Sequence, residues 1–179
     1  MHSQISACFA TLDAALEDLR AAVASVPEPL RGQKPAADRW STNDVLEHLS
    51  LVEQLFLKPL SDKVAAARGS LGREVERPAA LGADVRGFLT NRENKRTAPE
   101  TVQPTGTVEA STALATLADV HRRFLTIVSE ADGLALSTVT HDHRFFGTLN
   151  VYQWIELLAG HEARHAAQVR EIAGQLSRA

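Results

Sequence analysis

Apolar residues recur every three or four positions in four long stretches of the chain, which is the pattern of amphipathic α-helices. The first stretch carries six of them at this spacing: Ile5, Phe9, Leu12, Leu16, Leu19 and Val23. Pro27 and Pro29 follow, and because proline lacks the backbone N–H that a helix interior needs, the pattern predicts that the first helix ends before them.

The second helix is predicted to begin at Ser41, whose hydroxyl can cap the backbone while Asp44 reaches back, as in a capping box. Its predicted inward face consists of five apolar residues: Val45, Leu49, Val52, Leu55 and Phe56. Pro59 marks a kink or a stop, with a short continuation to about Arg68.

Two further helices are predicted, from about Val108 to Ser129 and from about Val151 to Leu176. Their predicted inward residues are Leu114, Leu117, Val120, Phe124, Ile127 and Val128 in the third helix, and Ile155, Leu158, Val169, Ile172 and Leu176 in the fourth. Residues 69–108 are broken by glycine and proline, so we predict a long excursion there, with a turn of helix near Leu81 to Leu89. Such an excursion is either a pocket wall or lid, or a mobile surface loop.

Four helices with one apolar face each bury those faces most economically against one another. The predicted fold class is therefore all-α, a four-helix bundle with a long connection between helices two and three. With 179 residues and 44% hydrophobic content, the chain suits one core, and a single domain over residues 1–179 is expected.

The formal net charge of −3 arises from acidic and basic residues interspersed along most of the chain. No basic stripe of the kind that phosphate backbones require is present, which argues against a nucleic-acid partner. One cationic cluster lies in a polar stretch: Arg86, Arg92, Lys95 and Arg96. We interpret it as a solvated loop, with binding of an anionic substrate as the alternative.

Cys8 is the only cysteine, which excludes an internal disulfide and a cysteine-based structural zinc site and favours a cytoplasmic protein. No segment is long and apolar enough to span a membrane, so no membrane association is expected.

Three histidines on two predicted helices carry the candidate chemistry. His161 and His165 are four residues apart and therefore share a helix face, which points inward, and His48 lies at helical spacing from inward residues of helix two. Three neutral imidazoles can bind a divalent ion and leave a coordination position open. A lone His-x-x-x-His match is weak evidence, but burying three polar rings without a shared purpose would be costly. The alternative is three core histidines in a metal-free helical dimer.

Three segments of the chain carry distinctive motifs: Trp40-Ser-x-x-Asp-Val-Leu-Glu-His48-Leu, Ala98-Pro99-Glu-Thr-Val-Gln-Pro104-Thr-Gly106, and His143-x-x-Phe-Gly147-x-Leu149 leading into Trp154 and His161-x-x-Arg-His165-x-x-Gln168. They resemble the DinB superfamily, and within it the metal-dependent hydrolase-like and thiol-dependent transferase proteins. The resemblance implies a four-helix bundle with an unusual long connection, frequent homodimers, and a metal held by one histidine of the second helix and two of the last. His48, His161 and His165 occupy the matching positions.

The predicted function is that of a divalent-metal-binding enzyme, either a hydrolase or a low-molecular-weight-thiol S-transferase. Zinc or nickel is the expected metal, with iron, manganese or cobalt as alternatives, and the expected partners are a small-molecule substrate and a second copy of the chain. No catalytic acid or base is nominated, because the carboxylates nearest in sequence, Glu47, Glu162 and Asp44, need not face the metal. The alternative function is a non-catalytic metal-binding or dimeric bundle with a stress-related role.

Five other residues are assigned structural roles. His143 is expected to orient the turn before the fourth helix, and His121 to be a satisfied core histidine. Trp154 is expected to anchor the core. Structural roles are also favoured for Gln168 and Arg164 over direct contact with a ligand.

Overall fold

Four long helices, a short helix and one β-hairpin make up the computed structural model, which describes residues 3–75, 80–93 and 97–178. The long helices are α1 (Ser3–Ala24), α2 (Thr42–Ala67), α4 (Ala110–Glu130) and α5 (Val151–Leu176), and the short one is α3 (Ala83–Thr90). The hairpin is formed by β1 (Thr140–His143) and β2 (Gly147–Asn150). The predicted helical bundle with a long connection between its second and third long helices is confirmed, while the extent of the domain stays a prediction.

The long helices associate in two main pairs, α1 with α5 and α2 with α4. Their apolar faces form two buried clusters in the described part of the chain. One surrounds Trp154 and Phe124, and the other surrounds Leu46 and Leu117. The α1 and α4 helices contact each other only slightly, which leaves a groove between them.

The start of α2 follows the predicted capping box. The Ser41 hydroxyl accepts from the Asp44 N–H at 3.1 Å, and the Asp44 carboxylate accepts from the Ser41 N–H at 2.9 Å. Pro59 lies inside α2 and does not stop it, and the helix continues to Ala67 with Arg68 as its C-cap, in agreement with the predicted continuation to about Arg68. Proline removes one backbone hydrogen bond, whereas the buried Leu60 and Val64 beyond it keep the helix packed on the core.

The inward face of α2 differs from the prediction. Leu55 is 47% exposed, and Val52 and Phe56 are only half-buried. The buried position in this turn is instead Glu53, which is fully enclosed. The prediction placed only apolar residues on the inward face, because charged residues are normally exposed. It therefore left out Glu53 and placed the inward face too close to Leu55.

The β-hairpin before α5 was not predicted. Its strands have four residues each, too few for an alternating pattern to stand out, and pair with Thr140 opposite Asn150. Gly147 has φ 73°, a conformation that glycine adopts readily. Asn150 then caps α5 by accepting from the Gln153 N–H at 3.0 Å, so the hairpin leads directly into the helix that carries two of the candidate histidines.

Within the described ranges, every helix falls short of the length and apolar content that a membrane span requires.

Candidate metal centre

The α2 and α5 helices bring His48, His161 and His165 together. One ring nitrogen from each lies within 4.8 Å of the others. The Nε2 atoms of His161 and His165 are 3.1 Å apart, and the ring centroid of His48 lies 5.5 Å and 5.2 Å from those of His161 and His165. His48 and His165 are buried, and the ring of His161 lies inside the bundle although the residue is partly exposed. The convergence expected from the helix faces is therefore present.

Two of these rings are oriented by hydrogen bonds at Nδ1. His48 Nδ1 lies 2.8 Å from the Val102 carbonyl oxygen, and His165 Nδ1 lies 2.9 Å from Gln168 Oε1. Because a carbonyl oxygen can only accept, each Nδ1 carries the proton, and each Nε2 keeps a free lone pair when the ring is neutral. Metal-binding histidines are typically held in this way.

The pKa values of the three imidazoles are lowered, which favours the neutral form. Burial is the largest cause for each ring. Burial, the neighbouring imidazoles and the positive charge of Arg164 together lower the pKa of His161 to about 3. Burial, the neighbouring imidazoles and the positive charge of Arg92 together lower the pKa of His165 well below its ordinary value. Neutral rings are the form that binds a metal.

The excursion between α2 and α4 forms one wall of this cluster. Val102 is buried, and its carbonyl accepts from His48. The loop after it is tied to α2 through Glu47, which accepts from the Thr105 hydroxyl at 2.7 Å and from the Gly106 N–H at 3.0 Å. Of the two interpretations of the excursion, these contacts favour a pocket wall for residues 102–106.

The three carboxylates closest to the histidines in sequence lie in other surroundings. Glu47 holds the loop just described, and Asp44 closes the α2 capping box and lies 3.6 Å from Lys34 Nζ. Glu162 lies in a separate buried group with His121 and Glu53. This agrees with the expectation that they need not face a metal.

Arg92 does not lie in a solvated loop, so that interpretation of the cationic cluster was wrong for this residue. Its Nε and Nη2 atoms donate to Glu171 at 2.8 Å and 2.7 Å. Its Nη1 atom lies 3.5 Å from Gln168 Oε1, the oxygen that accepts from His165. Arg86 donates to the Leu81 carbonyl. The other two members, Lys95 and Arg96, lie outside the described residues.

Arg164 fastens α3 to α5. It donates to the carbonyl oxygens of Phe88 at 2.8 Å and Asn91 at 2.7 Å, and its guanidinium carbon lies 4.8 Å from the centre of the Phe88 ring. These backbone contacts give it a structural role, as expected from the sequence.

His143 orients the hairpin turn, as expected from the sequence. Its Nδ1 accepts from the Phe145 N–H at 3.1 Å, and its ring stacks on Phe146 with 4.6 Å between centroids. Trp40 lies beside the candidate site, with 4.9 Å between its ring centroid and that of His48.

Sequence reasoning missed a second group of polar residues inside the bundle. Glu53, His121 and Glu162 are all buried and each can offer one ligand atom within 4.8 Å of the others. Burial raises the pKa of Glu53 to about 8, and burial together with the negative charge of Glu53 raises the pKa of Glu162 to about 9. The available signal was that Glu53 and His121 both occur at inward helical positions.

Comparison with known proteins agrees with this fold. The family model of the DinB superfamily matches residues 11–169. The uncharacterized protein YuaE of Bacillus subtilis (strain 168) is 30% identical over 154 residues, which cover 82% of this chain and 85% of that protein.

Among solved structures, YfiT from Bacillus subtilis is similar, with a TM-score of 0.62 and 14% identity over 99% of this chain and 90% of that chain. It is described as a probable metal-dependent hydrolase with an unusual four-helix bundle topology. At this identity the similarity shows the fold.

Proposed function

This chain belongs to the DinB superfamily, and we propose that it is a metal-dependent enzyme that binds one divalent ion through His48, His161 and His165. The observation that carries the proposal is the fixed orientation of His48 and His165. In each, the Nδ1 proton is donated to a carbonyl oxygen, which leaves the Nε2 lone pair free for a metal.

The donor set fits zinc or nickel best, because neutral imidazoles suit these ions and three of them leave a coordination position open. An ion held there by His48, His161 and His165 would supply a Lewis acid able to activate water or a thiol. The protein's own contribution is to keep the three rings neutral and to fix two of them by hydrogen bonds. Val102 and Trp40 both contact His48.

Hydrolysis of a small molecule is the first reaction class we propose, supported by the similar fold of YfiT and its description as a probable metal-dependent hydrolase. Transfer of a low-molecular-weight thiol is the second. It is favoured by the other engagements of Glu47, Asp44 and Glu162, because thiol transfer needs no carboxylate base. We also propose that the chain acts as a homodimer.

The two reaction classes can be separated with the metal-loaded full-length protein. If the protein is a hydrolase, we expect turnover of activated ester or amide substrates without a thiol. If it is a thiol transferase, we expect turnover only when a thiol and an electrophile are supplied together. The Gln175→Ala variant, altered at an exposed position on α5, serves as the control. Turnover that persists after the metal is removed would contradict the metal-dependent mechanism.

Replacing Gln168 with alanine should weaken metal binding by about 10–100-fold, which corresponds to roughly 1.4–2.7 kcal/mol. The change removes the oxygen that accepts from His165 Nδ1 at 2.9 Å, so the ring loses both its fixed tautomer and its orientation. A competition titration against a chelator measures the dissociation constant. Unchanged affinity in Gln168→Ala would show that this hydrogen bond does not support the ligand.

Metal affinity should stay nearly constant as the pH falls from about 7.5 to about 6, whereas an exposed histidine pair loses affinity near its ordinary pKa of about 6.5. Because burial holds the pKa values of all three rings below that value, protons compete with the metal only at lower pH. Chelator competition at a series of pH values tests this, with an exposed His-x-x-x-His peptide as reference. A loss of affinity that follows the peptide would contradict the prediction.

A further inference from the structure

A second polar cluster lies inside the bundle, with one residue from each of three helices. Glu53 comes from α2, His121 from α4 and Glu162 from α5, and they are 0%, 3% and 0% exposed. His121 Nε2 lies 2.5 Å from Glu53 Oε2 and 3.4 Å from Glu162 Oε1. One nitrogen and two carboxylate oxygens thus converge in the core.

Most of the remaining polar atoms of this cluster lack a hydrogen-bond partner among the described residues. They are Glu53 Oε1, His121 Nδ1 and both carboxylate oxygens of Glu162. The carboxyl groups of Glu53 and Glu162 are close enough to share a hydrogen bond, which satisfies part of this set. A buried polar atom without a partner costs about 1–3 kcal/mol, and the atoms that remain, His121 Nδ1 among them, indicate that a ligand is missing from the group.

The chemistry of the donors identifies the class of ligand. Two carboxylates and a neutral imidazole carry a charge of −2 when both acids are ionised, which a divalent cation neutralises. Mixed oxygen and nitrogen donors suit manganese, iron or zinc, and side chains on facing helices are the usual source of metal ligands inside helical bundles. A divalent cation would compensate this negative charge, whereas an anion would add to it.

The groove between α1 and α4 borders this cluster at His121. The groove has a volume of about 760 Å³, and His121 forms part of its lining. Three carboxylates also line it: Asp13, Glu17 and Glu130. Two arginines of the same lining have acidic partners, Arg20 with Glu17 and Arg122 with Asp119. The two arginines offset two of the three carboxylates, so the lining keeps a slight negative charge, which does not oppose a positive ion.

The cluster shares no residue with the three-histidine site. His161 and Glu162 are neighbours in sequence, but consecutive residues on a helix point about 100° apart. Accordingly, His161 contacts His48 of α2, whereas Glu162 faces His121 of α4.

We propose that Glu53, His121 and Glu162 form a second divalent-cation site, separate from the three-histidine site.

Metal stoichiometry tests the proposal. The full-length protein is stripped, reloaded with Mn²⁺ or Zn²⁺, separated from free ions and measured for metal content. We expect two ions per chain in the wild type and one in His165→Ala. The double variant Glu53→Gln with Glu162→Gln should also retain one, and the combined triple variant none. Glu130→Gln, a carboxylate of the same groove outside the cluster, should retain both.

Mn²⁺ binding by electron paramagnetic resonance gives a second readout. In protein whose histidine site is filled with Zn²⁺, we expect Mn²⁺ binding that the two glutamine substitutions remove and that His121→Gln weakens at least tenfold. A single ion per chain, lost in His165→Ala and retained in the double glutamine variant, would overturn the proposal. Two carboxyl groups that only share a proton would give this result. A wild-type protein that binds a single ion, retained in His165→Ala and lost in the double glutamine variant, would contradict the proposed function and support the second site.

Discussion

Replacing His165 with alanine should abolish divalent-metal binding at the histidine site and remove the thermal stabilisation that the metal provides. His165 is central to the cluster, because its Nε2 lies 3.1 Å from His161 Nε2 and its ring centroid lies 5.2 Å from that of His48. At a metal concentration about 100 times Kd, the wild type should gain roughly 2.7 kcal/mol of unfolding free energy. For a chain of this size the gain corresponds to roughly 5–11 °C in Tm, and none of it should appear in His165→Ala.

The measurement is best made in the Glu53→Gln and Glu162→Gln background, so that any ion in the second cluster does not contribute to the melting temperature. Calorimetric melting with and without Zn²⁺ or Ni²⁺ then reports on the histidines alone. Gln175→Ala in the same background should keep the full shift. A His165→Ala protein that still binds the ion and still melts higher with metal would show that the three histidines are not the ligands.

The sequence predicted much of the fold because the relevant signals are local. The 3.6-residue period predicts α5, which begins at Val151 and ends at Leu176 as expected. The approach of His161 to His165 follows from their spacing on one helix. That His48 faces them could be inferred from its inward position, although the distance between α2 and α5 could not.

The features that were missed depend on contacts between distant segments. Glu53 was passed over because a carboxylate is normally a surface residue, and only the tertiary structure places His121 and Glu162 beside it. Arg92 looked like a loop cation because its partner, Glu171, lies far along the chain. Period and composition carry no information about such pairs.

The long connection between α2 and α4 contacts the candidate site through residues 102–106. Val102 accepts from His48, and Glu47 holds Thr105 and Gly106. Residues 102–106 are therefore held against α2 by two of its consecutive residues, Glu47 and His48. A change in this loop should alter the orientation of the His48 ring without removing a ligand.

Replacing Trp154 with alanine should cost about 3–5 kcal/mol of unfolding free energy, or roughly 6–20 °C in Tm. The side chain is fully buried, with 4.8 Å between its ring centroid and that of Phe56. Its Nε1 also donates to the His141 carbonyl at 3.0 Å, which joins the β-hairpin to α5. Trp154→Phe keeps much of the packing and loses that hydrogen bond, so it should cost less. Urea denaturation measures both, with Leu55→Ala at an exposed apolar position as the control.

The same variants show whether Trp154 contacts the substrate or only supports the β-hairpin. Trp154 contacts the hairpin histidines, with ring centroids 5.7 Å from His141 and 5.4 Å from His143, and supplies no ligand atom to the three-histidine cluster. Metal affinity of the folded protein should therefore be unchanged in Trp154→Phe. If that variant kept its stability but lost turnover, Trp154 would contact the substrate. If it lost stability and kept its metal affinity, the tryptophan acts by holding the hairpin against the start of α5.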